Sequence, residues 1–464
     1  MRKIFFIFFY SLLGTMAVAQ KKSILTVNVE GYKGDSLLLI ANIGEGYPEK
    51  NLSIQKEIQR SGKVIHEFDL KKPLKVEIWV SRPALQVFIQ PGDSLVVNCK
   101  MNGPALISSF SGNGAQNNEV FKKNQDIRIK SETNIDYTKI TPDSLKSFYD
   151  KVYREQSRIL IDKKDFVTPV FFSYEQTELK YGYLANLFRL PQRLATLSRK
   201  PIASCIPSSF SLFGNEMEKN EKLLFSSQYR SAIYNFIGYS LLKNDIRDSK
   251  NDRSNFKQNY LFSVNNYTGL IRSTVLPTLF LSFFHYAEDV SVMKPELEDY
   301  FSKYCHSNEA KAALLNEYSA YFKTAIGQVP PSFELTSITG EKVTLKEFKG
   351  KVIYLDFWAS WCGPCRLEMK YAPQLHEKLK DNNVVFLFVS IDDDEAKWKK
   401  AIAEDKIEGI HLLSKGGFKS TVCQLFNFSG VPRYMIIGKD GKLLDNNAPR
   451  PSNPVTLERL KSAL

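Results

Sequence analysis

The spacing of apolar residues changes twice along the chain, and each change marks a different kind of predicted structure. Between residues 23 and 99, short runs that alternate apolar and polar residues are separated by turns such as Pro91-Gly92-Asp93. A period of two between turn residues is typical of short β-strands. The Gly/Asn-rich run Ser111–Asn118 marks a boundary. We predict an antiparallel β-sandwich-like domain over residues 20–112, with strands at Ile24–Val29, Ser36–Ile40, Val64–Leu70, Lys75–Val80, Leu85–Ile89 and Ser94–Cys99.

After this boundary, apolar residues recur at the spacing of an amphipathic helix, with charged residues between them. The clearest segments are Thr141–Lys163, Tyr174–Leu190, Asn215–Leu242 and Ser307–Ala325. We predict a helical domain over residues 113–326. Its many Phe and Tyr residues are interpreted as core rather than as a ligand site.

Strands and helices alternate after the linker Gly327–Ser332. This alternation, a β-α-β half followed by a β-β-α half, predicts an α/β domain over residues 327–464. The whole chain is thus predicted to be a multidomain protein of mixed α+β and α/β class. The strands are predicted at Val352–Trp358, Val384–Ile391, Arg433–Ile437 and Leu443–Leu444, and the helices at Pro364–Lys380, Asp394–Glu404, Phe418–Phe426 and Pro454–Leu464.

The first 19 residues have the composition of an export signal. Arg2 and Lys3 precede the apolar stretch Ile4–Leu13, and Ala17-Val18-Ala19 supplies a cleavage pattern before Gln20. The apolar stretch is short for a membrane span, and no cysteine stands at the cleavage point for a lipid anchor. We expect a periplasmic protein that is not stably inserted in the membrane after cleavage near Ala19.

The overall composition excludes several classes of function. Lys and Arg exceed Asp and Glu, giving a formal net charge of +13, but the basic residues are scattered and accompany no nucleic-acid-binding motif. We therefore expect a solvated basic surface and no nucleic-acid partner. Five scattered histidines and a single C-x-x-C disfavour a structural metal site. The remaining cysteines, Cys99, Cys205, Cys305 and Cys423, are interpreted as buried or unpaired thiols.

The run Trp361-Cys362-Gly363-Pro364-Cys365 carries the clearest chemistry, because it joins a predicted strand to a predicted helix. In that position the first sulfur lies at a helix N-terminus, where free N–H groups and the helix dipole stabilise a thiolate. A reversible disulfide between Cys362 and Cys365 would be the redox group, without a further cofactor or metal.

The segment Leu355–Arg366 resembles the active-site segment of thioredoxins, and the residues before it resemble the TlpA/ResA-like thiol-disulfide oxidoreductases, which are exported. The resemblance covers about residues 327–464 and implies a thioredoxin fold there. The β-rich segment with its Gln90–Asp93 turn is similar to N-terminal modules of such proteins in Bacteroidetes. The motif residues upstream of the cysteines are Pro331-x-Phe333-x-Leu335, Gly340 and Phe348-x-Gly350-Lys351-Val352.

Position and resemblance together imply a catalytic set. Cys362 should be the exposed nucleophile and Cys365 the shielded resolving thiol. Asp356 lies within an apolar strand, where burial raises a carboxyl pKa; the resemblance implies that it accepts the proton of the second thiol. Glu368 matches the glutamate of the family's C-x-x-E pattern. The simpler alternatives are a loop-capping or solvent-facing role for Asp356 and a helix-surface position for Glu368.

The resemblance also implies a substrate face. Val431-Pro432 matches the cis-proline loop of thioredoxins, which offers backbone groups to an extended substrate. Trp358 and Trp361 are expected to form a wall beside the sulfurs, although Trp358 also suits core packing. The substrate-binding set is Trp361, Gly363, Pro364, Val431 and Pro432.

Two departures from thioredoxin bear on the site. Lys370 stands where thioredoxins have a helix-kinking proline, and Pro373 follows later, so the kink is expected to move or vanish. The strand Val384–Ile391 has no charged residue, so the lysine that pairs with the buried aspartate in thioredoxins is predicted to be absent.

The leading hypothesis is an exported enzyme that reduces protein disulfides in the cell envelope and receives electrons from a membrane thiol donor. The same cysteines would also serve a disulfide oxidase or isomerase. A peroxiredoxin-like peroxidase is disfavoured because Pro and Thr are missing before Cys362. A client-binding scaffold with a secondary redox domain is the remaining alternative.

Overall fold

The computed structural model describes residues 22–31, 36–42, 51–59, 61–80, 84–102, 105–132, 135–212, 217–244, 252–286, 290–379 and 383–464. The predicted export signal therefore lies outside the described residues, as do Asn215 and Lys380 at the ends of two predicted helices. The chain forms two compact units, Met1–Phe236 and Ile237–Leu464. Among the described helices, none has the combination of length and apolar character that a membrane crossing requires.

Eight strands at the start of the first unit form two four-stranded sheets, in the orders β4-β1-β7-β8 and β3-β2-β5-β6. Alternate strand residues, such as Leu25, Val76 and Val97, are buried in one apolar core. Within these two sheets, the described strands β1 and β7 run parallel, so the prediction of an antiparallel domain is wrong at this pair. The strands are β1 Ser23–Glu30, β2 Ser36–Asn42, β3 Asn51–Glu57, β4 Lys63–Phe68, β5 Leu74–Trp79, β6 Leu85–Ile89, β7 Ser94–Asn102 and β8 Ala105–Asn113.

Helices follow the sheets, as the change of period predicts. Thr141 and Thr168 cap the second and third helices with their side-chain oxygens, and a proline follows each cap, where a helix needs no N–H donor. The helix that was predicted as Asn215–Leu242 begins only at Ser227. The helices are α1 Ala115–Glu132, α2 Pro142–Asp162, α3 Pro169–Ser198, α4 Ser227–Lys243, α5 Asp252–Asn266, α6 Gly269–Tyr286, α7 Lys294–Lys303 and α8 Asn308–Phe322.

A seven-stranded sheet in the order β10-β9-β13-β12-β11-β14-β15 follows in the second unit. Strand β11, in the interior of this sheet, is buried along its whole length, parallel to β12 and antiparallel to β14. This arrangement confirms the predicted thioredoxin-like sheet and the mixed fold class. The strands are β9 Glu334–Ser337, β10 Lys342–Thr344, β11 Val352–Trp358, β12 Val384–Ser390, β13 Ile410–Leu413, β14 Arg433–Ile437 and β15 Leu443–Asp445.

The helix that was predicted as Pro364–Lys380 is two helices. Helix α9 ends at Met369, and α10 begins at Ala372, with Pro373 in its first turn. The break lies at Lys370 and Tyr371, so the interruption persists although thioredoxin's proline is missing. The remaining helices are α9 Gly363–Met369, α10 Ala372–Glu377, α11 Glu395–Asp405, α12 Thr421–Leu425 and α13 Val455–Ser462, and a 3₁₀ turn at Gly417–Lys419 replaces the start of predicted Phe418–Phe426.

Candidate active site

The two cysteines of the C-x-x-C motif lie where β11 passes into α9. Cys362 is the N-cap of α9, and its sulfur accepts a hydrogen bond from the Cys365 backbone N–H at 3.2 Å. Gly363 and Pro364 form the start of the helix, a position that tolerates the missing N–H of proline. Cys362 and Cys365 are joined by a disulfide. The helix N-terminus thus places an N–H donor on the sulfur that would carry the negative charge after reduction.

Cys362 is more enclosed than predicted, whereas Cys365 is shielded as predicted. Cys365 is fully buried, and Cys362 is only 5% exposed, so the prediction of an exposed Cys362 is wrong for this disulfide form. The reason is that both side chains belong to the apolar core of the domain. The order of accessibility, with Cys365 the more shielded of the two, is as predicted.

The two tryptophans have different surroundings. Trp361 is 56% exposed and contacts Phe418 edge to face, with ring centroids 5.7 Å apart. Trp358 is fully buried within the core, in agreement with a packing role. An exposed aromatic side chain therefore stands directly before the disulfide in the sequence.

Asp392 holds the loop between β11 and Cys362. Its carboxylate accepts hydrogen bonds from the Ser360 backbone N–H at 2.8 Å, from the Ser360 hydroxyl at 2.7 Å and from the Ser390 hydroxyl at 2.7 Å. The Ile391 N–H also donates to the Trp358 carbonyl. We did not predict this role from the sequence, although an acidic residue just past the end of the neighbouring parallel strand is the signal for it.

Asp356 is a buried carboxyl on strand β11. It lies between Phe388 of β12 and Tyr434 of β14 in the strand register. Neither of its oxygens has a hydrogen-bond partner within the described part of the chain. Burial, and secondarily the negative charge of Glu368, raise the pKa of Asp356 well above its ordinary value. These surroundings contradict a capping or solvent-facing role.

Glu368 is buried as well, which contradicts a helix-surface position. Its two carboxylate oxygens accept hydrogen bonds from the Ser452 backbone N–H and hydroxyl, each at 3.0 Å. Arg450 Nη1 lies 3.9 Å from Glu368 Oε1. Ser452 and Arg450 are more than 80 residues from Glu368 in sequence, so no local pattern indicates this contact.

We expect the substitution Glu368→Gln to lower the pKa of Asp356 towards its ordinary value. The glutamine keeps an oxygen for Ser452 but removes the charge that raises the pKa of Asp356. The pH titration of the Asp356 carboxyl carbon, followed by NMR in the oxidised protein, measures the change. Ser452→Ala is the matched control, because it removes the hydroxyl donor and leaves the charge of Glu368. An unchanged Asp356 titration in E368Q would contradict the coupling.

The Val431-Pro432 peptide bond is cis, as the resemblance predicts. Pro432 directly precedes β14, whose first residue, Arg433, pairs with Phe357 near the end of β11. The cis bond therefore lies at the same edge of the sheet as the loop to Cys362. Val431 is half-buried and packs against the core of the domain.

The other cysteines are unpaired, as predicted. Cys99, Cys205 and Cys423 are buried, whereas Cys305 is half-buried. Burial raises the pKa of Cys99 to about 11, which keeps this thiol protonated and unreactive at neutral pH. Within the described ranges, no cluster of three or more His, Cys, Asp or Glu residues is suited to hold a metal ion.

The comparison with protein families concerns the last third of the chain. The Redoxin family model matches residues 325–464. Thiol-disulfide oxidoreductase ResA of Bacillus thuringiensis is 32% identical over 131 residues, which are 27% of this chain and 74% of that protein. Thioredoxin-like protein YneN of Bacillus subtilis is 30% identical over 136 residues, which are 28% of this chain and 78% of that protein.

Solved structures match a similar share of the chain. A thiol-disulfide oxidoreductase from Bacteroides fragilis is 27% identical, and the match covers 30% of this chain and all of that one, with a TM-score of 0.27. The thioredoxin domain of a thiol-disulfide oxidoreductase from Bacteroides vulgatus is 29% identical, with 30% and 96% covered and a TM-score of 0.28. On its similarity to ResA, and with a C-x-x-C disulfide at a helix N-terminus, this chain belongs to the ResA-like thiol-disulfide oxidoreductases of the thioredoxin superfamily.

Proposed function

We propose that this protein is exported to the periplasm and reduces disulfide bonds of envelope proteins through a Cys362/Cys365 dithiol–disulfide cycle. The observation that carries the proposal is the disulfide at the N-terminus of α9, at the same sheet edge as a cis Val431-Pro432 bond. The basic and apolar start of the sequence supports export.

The proposed cycle moves two electrons from the enzyme to the substrate. The Cys362 thiolate attacks one sulfur of the substrate disulfide, which breaks the substrate S–S bond, forms a mixed disulfide and releases the first substrate thiolate. Cys365 then loses its proton and attacks the Cys362 sulfur. This step releases the second substrate thiolate and leaves the Cys362–Cys365 disulfide. Both leaving thiolates become thiols by taking up protons.

Asp356 and Glu368 are proposed to handle the proton of Cys365. Because its pKa is raised, the Asp356 carboxylate is a stronger base than an ordinary aspartate and is better suited to accept the proton of a thiol. Glu368 would act through Asp356, because its charge keeps that pKa high. Strand β12 has no lysine that could take part. We therefore propose that Asp356 and Glu368 together form the proton route.

The substrate is proposed to bind as an extended segment across the cis-proline loop. Val431 and Pro432 would supply backbone contacts to this segment. Gly363 and Pro364 would contact it from the other side, next to Cys362. The exposed indole of Trp361 would cover apolar side chains of the client. This set selects extended segments around a cysteine rather than one particular protein.

Continued turnover requires a dithiol that returns Cys362 and Cys365 to the reduced state. We propose a membrane thiol donor, because an exported enzyme has no access to cytoplasmic reductants. The disulfide itself would be the redox group, with no further cofactor.

A redox titration of the Cys362/Cys365 pair against glutathione and dithiothreitol buffers tests the direction. For a reductase we expect a midpoint near that of thioredoxin, about −270 mV. The fraction oxidised is measured by alkylation of free thiols and mass spectrometry. A midpoint above about −200 mV would indicate a disulfide oxidase or isomerase instead.

A further inference from the structure

A cavity of about 520 Å³ opens beside the cis-proline loop, within the second unit. One wall is the loop that carries Pro432 and Arg433. The facing wall comes from the helical segment upstream and includes Phe284 and Tyr321, from α6 and α8. The family match begins at residue 325, so Phe284 and Tyr321 lie outside the residues that the family model matches.

Hydrogen bonds tie the chain just after α8 to the strands of the domain. The Asn446 side chain donates to the Thr324 carbonyl at 2.9 Å. Just after it, Gly327 N–H donates to the Leu443 carbonyl at 2.7 Å, and Leu443 N–H donates to the Gln328 carbonyl at 2.8 Å. The chain just after α8 is therefore anchored to the domain on this side of the cavity.

Two arginines bring positive charge to the cavity, partly offset by Glu368, whose Oε1 lies 3.9 Å from Arg450 Nη1, and by the charge of Asp445 near Arg433. Arg433 and Arg450 line it, and none of the described residues that line it is acidic. Arg433 donates from Nη1 to Asn447 Oδ1 at 2.9 Å, whereas its buried Nε has no hydrogen-bond partner among the described residues. The nearby Asp445 is held by Arg459 at 3.3 Å. A buried, half-satisfied guanidinium needs an acceptor, and a carboxylate suits it best.

We propose that this cavity is a subsite for a carboxylate of the substrate polypeptide, supplied by an Asp or Glu close to the cysteine that Cys362 attacks. The inference rests on the proposed function, because it assumes that a client crosses the loop at Pro432. A client residue a few positions from its cysteine would then enter the cavity beside Arg433 and Arg450. Partial exclusion of water by the aromatic wall strengthens such a charge-assisted bond.

The test uses the reduced full-length protein and a panel of synthetic disulfide-linked peptides. Each peptide carries one Glu at a position between four residues before and four residues after the cysteine, and its partner carries Gln there. For wild-type protein, we expect one Glu position to raise the second-order exchange rate by about tenfold over Gln, as charge-assisted hydrogen bonds allow. Stopped-flow tryptophan fluorescence measures the rate.

The substitution Arg433→Gln is expected to remove this preference while the rates with the Gln peptides stay close to wild type. Lys461→Gln, on the exposed face of α13, removes one positive charge elsewhere and is expected to keep the preference. Thermal unfolding verifies that R433Q is folded, and Arg433→Lys provides a second variant that keeps the charge while losing the guanidinium geometry.

Other outcomes separate this inference from the proposed function. If Glu accelerates exchange equally at all positions, or if the preference survives in R433Q, general attraction to a basic protein explains it and the subsite is wrong. If the Gln peptides react but no Glu position is preferred, the subsite is also wrong while the exchange activity stands. If no peptide reacts with the reduced protein, the proposed function fails.

Discussion

Replacing Cys362 with serine is expected to reduce disulfide exchange to the rate without enzyme, whereas replacing Cys365 with serine is expected to trap clients on Cys362. A serine hydroxyl is neither ionised at neutral pH nor able to form the mixed disulfide, so the first step has no nucleophile. In C365S the first attack still occurs, but the resolving thiol is missing. Exchange rates are measured with a disulfide peptide, and trapped clients are identified by mass spectrometry after non-reducing electrophoresis.

Cys305→Ser is the matched control, because Cys305 is the half-buried free thiol and lies outside the thioredoxin-like sheet. It is expected to exchange disulfides at the wild-type rate. Retained activity in C362S, or the same covalent complexes in C305S and C365S, would contradict the assignment of nucleophile and resolving thiol.

The substitution Asp356→Asn is expected to slow the resolving step by about 10²–10⁴ near neutral pH, the usual contribution of a positioned proton acceptor. Asparagine has nearly the same shape as aspartate but cannot accept the proton of Cys365. The first attack on the substrate by Cys362 should change far less. Rapid-quench alkylation of the mixed disulfide separates the two steps. Equal resolving rates in D356N and wild type would remove Asp356 from the proton route.

The same substitution has a pH-dependent effect on stability, and its sign follows from the pKa. Because folding raises the pKa of Asp356, the folded protein binds a proton that the unfolded chain has already lost. This stabilisation is complete below the unfolded pKa and disappears as the pH rises through the folded pKa. D356N never ionises, so its free energy of unfolding should exceed that of wild type by an amount that grows with pH.

Asp394→Asn provides a control of opposite sign. Backbone N–H donors at the start of α11, that of Lys397 above all, lower the pKa of Asp394. Its contribution is therefore present above the unfolded pKa and is lost as the pH falls through the folded value. Urea unfolding of the oxidised proteins at several pH values should find D394N less stable than wild type at neutral pH, and D356N more stable.

The parts of the site that the sequence predicts are those encoded locally. Cys362 and Cys365 are three residues apart, and Asp356 interrupts an apolar strand that leads to them. Contacts between residues that are far apart in the sequence were not predicted. Ser452 contacts Glu368 from 84 positions away, and Asp392 reaches Ser360 across neighbouring strands. Such contacts depend on strand order and register, which a single sequence does not encode as a local pattern.

The difference between local patterns and distant contacts also explains the errors in the predicted fold. Strand β3, Asn51–Glu57, is largely polar, and β13, Ile410–Leu413, has only four residues, so neither produces a clear period of two. The parallel pairing of β1 with β7 joins strands more than 60 residues apart. A pattern of short strands predicts sheets but not the direction in which two distant strands run.

The two hydrogen bonds between Leu443 and residues 327–328 have a consequence for the solubility of the domain. Strand β15 is the last strand of the seven-stranded sheet, and these bonds satisfy backbone groups that an edge strand would otherwise present to other chains. Leu444, next to them, is 40% exposed. A shortened protein that lacks all residues up to Gln328 would therefore expose an unpaired edge strand with an apolar side chain. Such an edge favours strand-to-strand aggregation. The segment before the thioredoxin-like sheet thus also protects that sheet from self-association.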